Sequence, residues 1–190
     1  MIVVILSILL FFSILLFVGF IAKKKSIDTA EDYFVAGRSF GAIVLFFSLV
    51  ATNFSAFTFL GFAGKSYTSG FGQYGIMAFG TGFMAISFYL IGRKVWQLGK
   101  SKGYITPAEL VGNQMNSTVL KYVFMTVLIV FTIPYLATQA IGAGMLIMQL
   151  TESMISWQMG AVITMVVLMV YTFLGGMRGS GWTDVVQGIL

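Results

Sequence analysis

GAIVLFFSLVATNFSAFTFLGF, residues Gly41 to Phe62, is the stretch that decides what kind of molecule this is. It is long enough to cross the hydrocarbon core of a bilayer, which takes about 20 apolar residues. Yet Ser48, Thr52, Asn53, Ser55 and Thr58 lie in its middle. Hydroxyl and amide groups at that depth are tolerated where they face protein, water or a bound solute. Thr52 and Asn53 are also poor helix formers that compete for backbone hydrogen bonds. The stretch therefore reads as a helix interrupted near the membrane midplane, the strongest sequence pointer to a transporter binding site. The alternative is that the hydroxyls merely pack against neighbouring helices; the span by itself leaves both open.

The surrounding composition sets the class. Of 190 residues, 58% are hydrophobic and 9% charged, with a mean hydropathy of +0.96, far from a soluble domain. Apolar runs separated by short polar loops predict an all-α polytopic membrane protein. Spans are expected at about 2–22, 40–63, 73–92, 119–149 and 155–174, all in one transmembrane unit. A further segment starts near Trp182 and reaches only Leu190, about half a span, so the chain is expected to continue beyond it. The apolar run from Ile2 to Ala22 exceeds the roughly 7–15 residues of a signal-peptide core and has its lysines after it. It is expected to be a retained helix with its N-terminus outside.

Charge placement gives the same orientation. With alternating spans, Lys23, Lys24, Lys25, Arg38, Arg93, Lys94, Lys100, Lys102, Lys121 and Arg178 share one side, and Lys65 alone falls on the other. The positive-inside rule makes the first side cytoplasmic, in a cell-membrane protein. The net charge of +5 is thus a topology signal rather than a nucleic-acid footprint, which would cluster on a soluble face. Cysteine and histidine are absent. That removes thiol nucleophiles and the usual zinc and haem ligands, and it disfavours an enzyme or a cofactor protein.

Other candidates for chemistry lie elsewhere in the chain. In the span containing Pro134, Thr132, Tyr135, Gln139 and Gly142 recur at helical spacing and share one face. A tyrosine and a glutamine there suit the polar groups of a solute; helix packing through Gly142 and Gly144 is the competing reading. Asp184 is the one acid placed inside a predicted helix. It fits either a path for cations leaving toward the cytoplasm or a favourable charge in a first helical turn. Glu31, Asp32, Glu109 and Glu152 are expected in solvated loops.

Four motifs then converge in order: DYFVAGRS (Asp32–Ser39), SLVATNFSAFTFLG (Ser48–Gly61), ITPAEL (Ile105–Leu110) and FLGGMRGSGWTDVVQ (Phe173–Gln187). Together they resemble the sodium:solute symporter family over essentially the whole chain. The resemblance implies two inverted five-helix repeats behind an extra N-terminal helix, of which this chain would carry the extra helix and the first repeat. It implies that main-chain carbonyls at Ala51 and Phe54 help hold sodium, and that Asn53, Ser55 and Thr58 contact solute, with a further contact near Tyr135. Asp184 falls on the family's sodium path. The family completes its sodium site with hydroxyls on the eighth core helix, which lies outside this chain. Asn53 stands where the proline-transporting branch tends to have aspartate, which argues against that branch.

The sequence thus points to the N-terminal half of a symporter. It would import a small polar organic solute with sodium as coupling ion, by alternating access, with no other cofactor and no nucleic-acid partner. Gln139 joins Asn53, Ser55, Thr58 and Tyr135 as a solute-binding candidate. The rival expectation is a half-transporter or membrane subunit whose partner supplies the missing helices.

Overall fold

The computed structural model describes residues 2–189, with backbone alone at Phe57. Every regular element among them is helical. In order they are α1 (Ile2–Lys25), α2 (Ala30–Val35), a 3-10 turn (Ala36–Arg38), α3 (Ala42–Asn53), a π-helical stretch (Phe57–Phe62), α4 (Ala63–Ser69), α5 (Gly72–Lys102), α6 (Pro107–Gln114), α7 (Thr118–Leu150) and α8 (Trp157–Ile189). Helices α1, α5, α7 and α8 are each long and apolar enough to cross a membrane. Helix α7 runs through Pro134.

The chain divides into two units. One comprises the chain up to Phe59 together with the part from Ala137 onward, and the other is Leu60–Leu136. The first unit is held by glycine contacts. Gly175 of α8 lies against the Gly19 carbonyl and Ala22 of α1, so close that a Cβ there would stand 3.0 Å from that oxygen. A Cβ on Gly19 would meet the Tyr171 Cβ at 2.7 Å. Without a hydrophobic drive in lipid, such close backbone approach is how helices gain dispersion contact. Gly160 of α8 fits against Ile147 of α7 in the same way. Between α7 and α8, buried Thr151 donates to the Ile147 carbonyl at 2.8 Å and accepts from Ile155 N–H at 3.2 Å, tying the turn shut.

In the second unit, α6 starts with a full capping box. The Thr106 side chain accepts from Glu109 N–H, Glu109 accepts from the Thr106 and Ile105 N–H groups, and Pro107 occupies the first turn. These donors hold the Glu109 carboxyl below its ordinary range. Glu109 is therefore a structural cap, not the free loop acid expected from the sequence.

One element differs in its bounds from the sequence reading. A span ending at 174 and a new segment near Trp182 are expected; α8 is two helices joined at Gly176, whose φ of 52° and ψ of −147° lie outside helix, so the second segment starts before Trp182. Few apolar side chains are buried, and large ones such as Phe79, Phe131 and Phe173 point outward. In water such faces would aggregate; in a bilayer they are ordinary lipid or helix contacts.

Candidate functional site: a broken helix and its neighbours

Helix α3 undoes itself through its own side chains. Thr52 Oγ1 donates to the Ser48 carbonyl at 2.8 Å, and Asn53 Nδ2 donates to the Leu49 carbonyl at 2.8 Å. Such back-bonding loosens the helical ladder. Phe54 N–H still reaches Val50 at 2.9 Å, but Phe54 itself has turned to φ −84°, ψ 69°. Two residues on, Ala56 N–H donates to Gln139 Oε1 of α7 at 2.9 Å instead of to its own helix. Thr58 Oγ1 bridges back to the Asn53 carbonyl at 2.7 Å and stands 3.4 Å from Ser55 Oγ. Backbone bonding resumes with Phe59 N–H to Ser55 at 3.1 Å and continues as π-helix.

The consequence is a pair of backbone carbonyls without their usual helical donors. Among the described residues, Ser55 N–H makes no bond to Ala51, and Thr58 N–H makes none to Phe54. Both carbonyls are left outside the helical ladder, beside the half-buried Ser55 and Thr58 hydroxyls. Hard cations take oxygen ligands of this kind, and a single-turn π segment commonly marks a functional site. Gln139 Nε2 is buried without a hydrogen-bond partner among the described residues. An unmet buried donor costs about 1–3 kcal/mol, which a bound acceptor offsets.

The break therefore gathers Asn53, Ser55, Thr58 and Gln139 with the Ala51 and Phe54 backbone. Asp184 is not at the break. It sits half-buried on α8 opposite Ser48 of α3, about 7–8 Å of helix from Asn53 by helical rise. Tyr135 lies one turn before Gln139 on α7, within the second unit, with 47% of its surface exposed.

A second constellation escaped the sequence reading. Asp32 is 3% exposed rather than a solvated loop acid. Its carboxylate accepts from Arg178 Nη2 at 2.6 Å, Arg178 Nε at 2.9 Å, Ile27 N–H at 2.9 Å and Ser26 Oγ at 3.0 Å. The Arg178 hydrogen bonds, then the Ile27 amide, lower its pKa to about 2. Thr29 caps α2 by accepting from Asp32 N–H at 3.1 Å. The Gly176 break presses onto Tyr33, so that a Cβ would lie 2.8 Å from the Tyr33 carbonyl. The available signal was two oppositely charged residues, Asp32 and Arg178, in two glycine-containing motifs assigned to the same side of the membrane.

A polytopic helical protein with an interrupted helix, free backbone oxygens and convergent small polar groups belongs to the class of secondary transporters. The particular family follows from comparison: the chain belongs to the sodium:solute symporter family, whose model matches residues 33–190. It is a multi-pass membrane protein of a family of symporters, not of enzymes. An uncharacterized symporter of Bacillus subtilis is 29% identical over 97% of this chain and 38% of its own length. The sodium/pantothenate symporter of Escherichia coli is 28% identical over 88% of this chain and 35% of its own. The sodium/proline symporter of Staphylococcus aureus is 25% identical over 95% and 35%. The chain thus spans little more than a third of the length of these relatives. No solved structure matches it.

Proposed function

We propose that this chain supplies the helices on which a sodium-coupled symporter binds its coupling ion and a small polar organic solute. The observation that carries this is the break at Phe54–Ala56, which frees the Ala51 and Phe54 carbonyls beside Ser55 and Thr58. Sodium is held by those carbonyls. Solute is held by Asn53, Ser55, Thr58 and Gln139, with Tyr135 as a further contact, and Asp184 lines the route by which sodium leaves. The unpaired donor on Gln139 favours a solute bearing an acceptor such as a carboxylate. Relatives named for pantothenate, proline and monocarboxylate fit that class.

The activity belongs to a protein in which these helices form the extra N-terminal helix and the first of two inverted repeats. Transport proceeds by alternating access, and coupling arises because both ligands favour the same conformation and shift one equilibrium. The test is uptake of pantothenate, proline and a monocarboxylate in cells expressing the complete gene product, with and without a sodium gradient. A sodium-dependent signal is expected for one class. Asn53→Ala should then raise its KM about tenfold, the loss of one solute hydrogen bond, with expression retained. Unchanged uptake kinetics would remove Asn53 from the site.

A further inference from the structure

A groove of about 250 Å³ runs between α1 and α8, away from the broken helix. Its walls are Val18, Ile21, Ala22 and Lys25 from α1, at the 3-, 4- and 7-residue spacings of one helix face. From α8 come Arg178, Trp182 and Val186, spaced by four. Both cations lie at the same end, since the α1 terminus and the Gly176 break are pinned together through Gly19, Ala22 and Gly175. From that end the apolar walls extend 7 residues along α1 and 8 along α8, about 10–12 Å by helical rise.

The charge at the mouth is only partly neutralised, since Arg178 is paired and the lysines, among the described residues, are not. Glu31 is paired with Arg38 at 3.0 Å, and Asp32 with Arg178. Lys23, Lys24 and Lys25 make no ion pair among the described residues, and Lys24 lies over the Phe20 ring at 5.0 Å. Asp28 is the remaining carboxylate in this segment. Arg178 commits Nε and Nη2 to Asp32, which leaves Nη1 for another acceptor. Trp182, at 52% exposure, stands beside it. An apolar groove one acyl segment long, opening at a lysine cluster and a tryptophan, is complementary to one molecule class. We propose that it binds an anionic phospholipid, with the phosphate at Lys25 and Arg178 and an acyl chain against Val18, Ile21 and Val186. Basic pockets between helices on the cytoplasmic side recognise such headgroups by the same physics.

The experiment is native mass spectrometry of the protein released from nanodiscs with graded phosphatidylglycerol in phosphatidylcholine. Wild type should retain phosphatidylglycerol selectively. Lys25→Gln should weaken retention about fivefold, as expected for one lysine near an anionic headgroup. Val186→Trp fills the groove and leaves every charge in place, and it should weaken retention at least as much. Lys100→Gln, in the other unit, should have no effect. Retention that falls with Lys25→Gln but not with Val186→Trp would make this a diffuse charged surface and overturn the proposal. So would equal retention of the two lipids, or displacement by millimolar glycerol phosphate, which has no chain to fill the groove.

Discussion

Asp32 and Gly176 are the residues whose chemistry is most constrained. The Asp32 carboxylate sits at a pKa of about 2, against about 3.9 for a free aspartate. A carboxylate lowered on folding contributes stability that is complete above the unfolded value and lost as pH falls through the folded one. Thermal midpoints of the detergent-solubilised protein should therefore fall between about pH 4 and pH 2. Asp32→Asn should start less stable and lose less over that window; parallel pH profiles would show that the Arg178 pair is not intact in solution. Gly176 combines a positive φ with backbone contact to Tyr33. Gly176→Ala should destabilise by more than about 1 kcal/mol, whereas Gly72→Ala, with open space around it, should not. Neither role is visible in a single stretch of sequence, because each depends on a partner more than a hundred residues away.

Among the elements, the interrupted α3 was legible from composition and the manner of its interruption was not. Thr52, Asn53, Ser55 and Thr58 marked the place, and the break falls among them. What the sequence hid is that Gln139 supplies the acceptor for Ala56 N–H, since that contact depends on how α7 packs. The same blindness displaced the break in α8 to Trp182. An aromatic residue after a run of glycines looks like a helix start, while the chain turns at Gly176, where Tyr33 approaches. The capping glutamine makes a direct prediction. Hydrogen exchange at Ala56 should be slow in the wild type and about tenfold faster in Gln139→Leu, the loss of roughly one hydrogen bond. An Ala56 amide that exchanges equally fast in both would mean that Gln139 does not hold the second half-helix.

For the molecule as a whole, outward-facing apolar side chains and a one-sided distribution of cations define how it sits in a membrane. The absence of cysteine makes the orientation simple to read by labelling. With the N-terminus outside, Ser69→Cys should react with an impermeant maleimide on intact cells, and Ser101→Cys only after permeabilisation; the reverse pattern would invert the topology. We propose that sodium binds at the helix break. This is tested most directly by hydrogen exchange over residues 51–58 of the complete gene product in nanodiscs, in sodium and in choline chloride. Sodium should slow exchange across Phe54–Thr58 in a saturable way, as its coordination by the Ala51 and Phe54 carbonyls stiffens the break. Exchange indistinguishable in the two salts would mean that sodium does not bind at the break.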